Sequence, residues 1–519
     1  MSLVDWFNKT PGKTLVLALL AGALVTFSLA PFNIWPAGIV SLILLIACLQ
    51  QATPKQAFII GWAYGFGLFG TGVSWVYVSI HEFGLASVPL AGSLTLLFIV
   101  GLAVLFSATF GYVYARFFSY EPFGVLPAFP ALWVLFEWLR SWLLTGFPWL
   151  YLGYAHTDTW LANLAPITGV YGLSLISSLT AAAIYLLLKE IHNRTFKKVW
   201  LYTALILLPW VAGYALKNFS WVHVNDAALN VTLIQPNISQ SIKWQPEQRN
   251  ETLRLMYEET KKHLDSDLII WPENGIPLFH HQATGYLQAI EAMAAVSETT
   301  ILSGIPYWEE NDSNPEGVIH NSIVVTGQTP EESLYHKQKL VPFGEYVPLE
   351  DQLRGLITFF DLPMSNFRPG SASQTALNLS IKGETVRVAP YICYEIVYPD
   401  FVRELGADAD FFLTISDDSW FGHSIGPKQH MQMARMRALE NGRYLIRGTN
   451  TGITAIVNHH GKITTEASSF EQTSLTGQIK TTSGQTPFMR WGSLWILLTC
   501  AALLGITLIS GRKKISDDN

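Results

Sequence analysis

The sequence predicts a polytopic α-helical membrane domain of eight spans joined to a water-soluble α/β domain. Three observations predict it. Apolar runs long enough to cross a bilayer crowd into residues 1–216, and one more closes the chain. Between them, residues 217–490 change texture to short β-branched runs alternating with helical stretches. The chain is also greasy: of its 519 residues half are hydrophobic and only 14% charged, with 18 Trp and 29 Phe. A mean hydropathy of +0.27 is too high for a soluble enzyme of this length. The formal charge of −6 and the absence of any basic block give no footprint for nucleic acid. No internal repeat or low-complexity tract is present.

In chain order the expected spans are 14–30, 35–49, 57–80, 88–115, 123–143, 167–188, 199–216 and 491–510. The second, interrupted by Pro36 and Gly38, is the weakest against the roughly 20 apolar residues a crossing needs. The first resembles a secretory leader ending at Ala30, but Pro31 and another span follow at once, so it reads as an uncleaved anchor. Basic residues then orient the chain. Lys9, Lys13, Lys55, Arg116, Lys189, Arg194, Lys197, Lys198, Arg512, Lys513 and Lys514 all fall on one side if every span crosses. The opposite loops, 81–87 and 145–166, hold no Lys or Arg. The expectation is a multi-pass membrane protein with both termini cytoplasmic and residues 217–490 on the outer side. Its domains are 1–216 with seven spans, a periplasmic domain over 217–490, and an eighth span with a cytoplasmic tail over 491–519.

Two features of the membrane half stand out. Glu137 and Arg140 lie at i,i+3 on one face of the fifth span, where ionisable groups are costly and are either a structural pair or functional. The stretch 145–154, rich in Trp and Tyr, reads as an interfacial aromatic belt.

In the soluble part, strands are expected at 230–235, 268–271, 301–304, 321–326, 334–341, 386–392, 411–416, 444–449 and 453–458. Helices are expected at 247–264, 283–296 and 428–440. Residues 481–487 read as a polar linker back to the membrane. Three ionisable residues stand where strands stop: Glu273 after Trp271-Pro272, Lys337 within Tyr335–Leu340, and Cys393 after Tyr391-Ile392. Reactive groups of α/β sheets collect beyond strand ends, so the three can converge.

Cys393 is the one thiol outside the apolar runs, since Cys48 and Cys500 lie within them. A lone cysteine has no disulfide partner and cannot build a thiolate metal site. Most free cysteines are small buried hydrophobes, and a Glu after Trp-Pro or a Lys in a strand is commonly a solvated surface group. Together, however, their chemistry is complementary: a carboxylate takes the thiol proton, and an ammonium favours the thiolate and an oxyanion. Strand alternation places Lys339 on the same face as Lys337 and does not choose between them. The adjacent His280/His281 and His459/His460 lack the i,i+4 spacing of a metal-binding helix, and His430 reads as structural.

Trp271-Pro272-Glu273, Tyr335-x-Lys337-x-Lys339-Leu340-Val341-Pro342-Phe343-Gly344-Glu345 and Cys393-Tyr394-Glu395 resemble the Glu–Lys–Cys triad of the nitrilase superfamily. The wording is similar to its integral-membrane branch, the apolipoprotein N-acyltransferase family. Glu137-Trp138-Leu139-Arg140, Thr145–Trp149, Asp418–Gly422 and the 432–440 helix extend the resemblance over most of the chain.

The resemblance implies a four-layer αββα sandwich for the soluble domain. It implies Cys393 as nucleophile, Glu273 as general base and Lys337, rather than Lys339, as oxyanion stabiliser. Glu345 and Glu395 would position the lysine and tune the site, and Trp244 and Tyr394 would line the substrate path. The implied donor is a membrane phospholipid, phosphatidylethanolamine through its sn-1 chain. The implied acceptor is the α-amino group of a diacylglyceryl-cysteine opening an apolipoprotein. No cofactor, metal or nucleic acid is implied, and the enzyme is expected to act as a monomer. Two other readings remain open: a membrane-tethered amidase hydrolysing a small amide, and a transporter bearing a non-catalytic periplasmic domain with Glu137 and Arg140 on its pathway. The stretch 356–369 is the expected lid.

Overall fold

Side chains along a strand point alternately to opposite faces, and that alternation fixes how the sheet-bearing part of the chain folds. The computed structural model describes residues 11–119, 124–311, 314–327, 333–353, 355 and 366–517. It divides the chain into two units, one of Met1–Tyr77, Ser87–Phe219 and Trp491–Asn519, the other of Ser220–Arg490 with Val78–Ala86. The short segment Val78–Ala86 is the piece that a division at residues 216 and 490 does not foresee.

In chain order the strands of the second unit are β1 (His223–Gln235), β2 (Leu268–Ile270), β3 (Thr300–Asn311), β4 (Asn314–Thr326), β5 (Ser333–His336), β6 (Leu377–Ile381), β7 (Glu384–Ile392), β8 (Phe411–Ser416), β9 (Leu445–Thr449), β10 (Ala455–Val457), β11 (Ile463–Glu466) and β12 (Thr473–Ser483). They form two six-stranded sheets, ordered β12-β1-β2-β3-β4-β5 and β11-β10-β9-β8-β7-β6. β1, β2 and β3 run parallel, as do β7, β8 and β9, and the outer strands pair antiparallel.

Even positions of β2, Leu268 and Ile270, join Leu302 and Ile323 in a buried cluster with Val388, Phe411, Leu413 and Ile415 of the second sheet. The odd neighbours Ile269 and Trp271 turn the other way, onto Met256, Leu287 and Ile290 of the helices Pro246–Lys262 and Thr284–Ser297. On the far face of the second sheet, Tyr391 stacks edge-on against Phe412 at 5.5 Å. Its hydroxyl donates to the Val402 carbonyl of helix Pro399–Leu405 at 2.8 Å. The layers are helix, sheet, sheet and helix, the nitrilase-like sandwich.

Ile270→Ala tests the central layer. It removes a fully buried side chain between the sheets and is expected to cost about 2–5 kcal/mol, read as a lower thermal unfolding midpoint of the purified protein.

The helices of the first unit are apolar, and among the described residues two are long and apolar enough to cross a membrane, Val88–Phe117 and Trp160–Asn193. A third counts if Pro54–Gly72 and Val76–Phe83, bent by 61°, form one span. The bend falls within the expected span 57–80: Val73 leaves the helical region at φ −132°, and the chain beyond it passes to the second unit. Gly12–Ser28, Trp35–Leu49, Val199–Ala215 and Leu494–Ser510 are shorter apolar helices. The expected span 123–143 is a helix only to Arg140, and Phe123 lies outside the described residues. Glycines let these helices meet backbone to backbone: a Cβ on Gly22 would strike the Tyr64 carbonyl, and one on Gly67 the Leu19 carbonyl.

The aromatic stretch 145–154 is not an exposed belt. Trp149, Tyr151 and Tyr154 are all within 1% of complete burial. The ionisable pair on the neighbouring helix draws the stretch inward. Glu137 Oε1 accepts from the Leu152 N–H at 2.8 Å and from Trp133 Nε1 at 2.9 Å. Arg140 Nη2 donates to the Trp149 carbonyl at 2.9 Å. Both side chains satisfy backbone groups that a kinked connection would otherwise bury unpaired.

Candidate active site

Three strand ends supply the site. β2 ends at Ile270, Pro272 two residues on cannot donate to a ladder, and Glu273 follows. β5 ends at His336, immediately before Lys337. β7 ends at Ile392, and Cys393 opens a tight turn over Cys393–Val397. β2 and β5 belong to one sheet and β7 to the other, so the groups meet at the rim of the sandwich.

Lys337 Nζ stands 3.5 Å from Glu273 Oε1 and donates to Glu345 Oε1 at 2.8 Å. Asn321 Nδ2 bridges the same two carboxylates, at 2.7 Å to Glu273 and 3.0 Å to Glu345. The second oxygen of Glu273 accepts from the Asp417 N–H at 2.8 Å. Glu345 Oε2 accepts from the Val341 N–H at 2.8 Å, closing the turn that carries it. Cys393 is 8% exposed and electrostatically coupled to both Glu273 and Lys337.

Burial sets the proton positions. It pushes the Glu273 carboxyl above the ordinary carboxylate range; Lys337 opposes this, while Glu345 and Asp417 add to it. Burial also pushes the Cys393 thiol up, as does the Glu273 charge, against the pull of Lys337. Burial works against the Lys337 ammonium, but Glu345 and Glu273 outweigh it and hold the group above the usual lysine range. The resting site is therefore a protonated thiol, a fixed cation and a carboxylate of raised basicity. A thiol in that state reacts only if a base removes its proton.

Cys393 has φ +52°, a left-handed conformation uncommon for residues other than glycine. Such strain persists where surroundings over-determine it, and here they do. Glu395, wholly buried, takes the Ile392 N–H on Oε2 at 2.7 Å and the Gln338 N–H on Oε1 at 2.6 Å. Tyr335 donates to the same carboxylate at 2.9 Å. Glu395 thus ties the turn of Cys393 to the segment of Lys337. Burial raises its carboxyl to about 7, while the Ile392 and Gln338 N–H groups and Lys337 lower it.

From the other side, His430 of helix Gly426–Asn441 contacts the Cys393 carbonyl through Nε2 at 3.1 Å. Its Nδ1 lies 3.1 Å from Asp418 Oδ1, and Arg447 Nη2 donates to Asp418 Oδ2 at 2.7 Å. All three are buried, a polar brace behind the turn.

The structure brings Glu273, Lys337, Cys393, Glu345 and Glu395 together. Tyr394 is buried beside them, its ring T-shaped to Tyr398 at 5.3 Å. Trp244 is half-buried one residue beyond Lys243, and among the described residues its indole N–H has no hydrogen-bond partner. Lys339 reaches away, over the rings of Phe401 and Tyr398 at 5.7 and 5.9 Å. Lys337, and not Lys339, is therefore the lysine beside Glu273. Most of the expected lid, 356–365, lies outside the described residues; beside it, the Phe367 N–H donates to the Glu345 carbonyl at 2.9 Å.

Sequence reasoning missed Asn321, Lys243, Asp417 and the Asp418–Arg447 pair. The rule that found Glu273 would have marked Asp417 and Asp418, because they directly follow β8. Among the described residues no group of three or more His, Cys, Asp and Glu could hold a metal ion.

Residues 21–183 match the family described as apolipoprotein N-acyltransferase N-terminal domain, and residues 230–488 match carbon-nitrogen hydrolase. The chain is similar to the apolipoprotein N-acyltransferase of Pseudomonas syringae pv. tomato, 45% identical over 98% of this chain and 99% of the relative. The Azotobacter vinelandii protein of the same name is 44% identical over 98% of this chain and 97% of its own. Among solved structures, Saccharomyces cerevisiae Nit3, a member of branch 10 of the nitrilase superfamily, aligns with 49% of this chain and 90% of its own. That alignment has 16% identity and a TM-score of 0.36.

Proposed function

Because the chain belongs to the apolipoprotein N-acyltransferase family, we propose that it moves a phospholipid acyl chain through a thioester on Cys393. The acceptor is the α-amino group of the diacylglyceryl-cysteine that begins an apolipoprotein. The observation that carries this reading is the single buried cluster of Glu273, Lys337 and Cys393 at three strand ends.

Glu273 takes the Cys393 proton as sulfur attacks the donor ester carbonyl. Lys337 stabilises the oxyanion. The tetrahedral adduct expels the lysophospholipid alkoxide, which takes the proton back from Glu273. The acceptor amine then attacks the thioester, Glu273 receives its proton, and the Cys393 thiolate leaves and is reprotonated. Glu345 holds Lys337, and Glu395 holds the cysteine turn. Trp244 and Tyr394 line the approach.

The donor is phosphatidylethanolamine. The protein spans the inner membrane eight times as a monomer, with the 217–490 domain on the periplasmic side. The one-sided distribution of Lys and Arg supports this orientation. Energetics support a site at the bilayer: extracting an acyl chain costs about 0.8 kcal/mol per CH₂, so a soluble enzyme would face a penalty above roughly 10 kcal/mol for an ordinary chain. Keeping water from the thioester separates transfer from the hydrolysis that an amidase performs.

Purified protein mixed with donor lipid and no acceptor should accumulate an acyl adduct on the Cys393 peptide, detected by mass spectrometry, and release lysophospholipid in equal amount. Folded protein that yields no adduct would sink the reading. Rapid turnover of the adduct by water alone would make it a hydrolase.

A further inference from the structure

Glu273 is held from its far side by charged groups that take no part in the chemistry above. Lys243, 2% exposed, donates to Asp417 Oδ2 at 2.8 Å and to the backbone carbonyl of Glu273 at 3.1 Å. Asp417, also 2% exposed, sends its N–H to Glu273 Oε2 at 2.8 Å. Its carboxylate is fixed in turn by Asn450 Nδ2, at 3.1 and 3.2 Å, and by the Ser419 hydroxyl and N–H. The ring closes on one residue: Lys243 grips the main chain of Glu273 and Asp417 grips its carboxylate, while the two are ion-paired to each other.

We propose that Lys243 and Asp417 are positioning residues for Glu273, a buried ion pair that aims its carboxylate at Cys393 and cancels a negative charge beside it. This rests on Glu273 being the base. A buried pair is weak as a stabilising device, since desolvation offsets its attraction, so stability is a poor explanation for placing one here. The charge bookkeeping gives a better one. Glu273 already faces one carboxylate, Glu345 from the 341–346 turn, and one cation, Lys337 after β5; Cys393 after β7 is uncharged at rest. Asp417 after β8 is a second carboxylate, which unopposed would keep Glu273 protonated. Lys243 supplies the matching cation and lets Asp417 offer its N–H without that cost.

The test is the pH profile of single-turnover acylation of Cys393 from donor vesicles of phosphatidylethanolamine, without acceptor. In the wild type the rate falls at acid pH as Glu273 takes a proton. Lys243→Met leaves the Asp417 charge uncancelled and should move this acid limb up by about one pH unit or more. Asp417→Asn keeps the backbone N–H, removes the charge, and should move the limb down. The double variant should return it toward the wild-type position. Lys243→Arg, which keeps the charge, should move it least.

Rates that drop equally at every pH, with the limb unmoved in Asp417→Asn and in the double variant, would make the pair merely structural and overturn the proposal. Should Lys243→Met fail to fold, the downward shift in Asp417→Asn decides alone. Glu273→Gln separates the two layers of argument. If that variant keeps the acid limb, the assignment of Glu273 as base has failed; if it loses the limb while the others do not shift it, only the role of the pair has failed.

Discussion

Cys393→Ala abolishes the donor-derived adduct and lowers acyl transfer by at least about 10⁴-fold, the scale at which a covalent nucleophile is lost. Cys393→Ser falls by a similar factor. The reason lies in the environment rather than in sulfur alone. Burial holds even the thiol protonated, and a serine hydroxyl starts several units less acidic than a thiol. Glu273, raised but still a carboxylate, is matched to a thiol and too weak for an alcohol. Both side chains fit the turn, whose left-handed φ of +52° is imposed by Glu395 and His430 contacts to the backbone. Unchanged thermal unfolding beside the lost activity would locate the effect in the chemistry. Transfer by Cys393→Ala within tenfold of the wild-type rate would refute the thioester route.

Lys337→Met acts on two properties at once. It removes the cation proposed to face the oxyanion, expected to cost about 10²–10³-fold in the acylation rate. It also leaves the buried Glu273 and the partly buried Glu345, bridged by Asn321, without their shared ammonium. One of them must then take up a proton, because like charges so placed do not both ionise. Breaking a buried pair by removing one partner costs about 3–5 kcal/mol, so the thermal midpoint should fall with activity. Lys337→Arg separates the two effects. It should recover most of the stability and little of the rate, because a planar fork does not reproduce a point donor aimed at one atom. A Lys337→Met variant that acylates at the wild-type rate would remove the lysine from the mechanism.

Most strands of the sandwich were legible because their burial is extreme. β8 is buried at all six positions and occupies the residues that its apolar run marks. β12 was not legible. Thr473–Ser483 is mostly polar and half-exposed, and its last residues resemble a linker; it is a strand because β1 pairs with it over ten registered positions. β6 and β11, the two edge strands of the second sheet, alternate in burial but run for only five and four residues, too short to stand out from flanking loops. In the site, Glu273 and Cys393 stand directly after apolar runs, whereas Lys337 was separated from Lys339 only by the family resemblance. Asn321 and Lys243 carried no such mark, because one lies inside a strand and the other on a four-residue helix, where nothing local distinguishes them from solvated neighbours. The aromatic stretch 145–154 misled for a physical reason as well: composition gives its affinity for an interface, while Glu137 and Arg140 decide where its backbone is tied.

Val78–Ala86 belongs with Ser220–Arg490 although more than a hundred residues separate them. Ser79 donates to the Trp420 carbonyl at 2.7 Å, and Phe83 stacks edge-on against the Trp420 ring at 5.1 Å. The loop they hold begins at Asp417 and Asp418, which contact Glu273 and His430. A gene fragment starting at Ser220 would therefore lack the residues that contact Trp420 from Val78–Ala86. Grafting those nine residues onto such a fragment is the shortest route to an excised catalytic half.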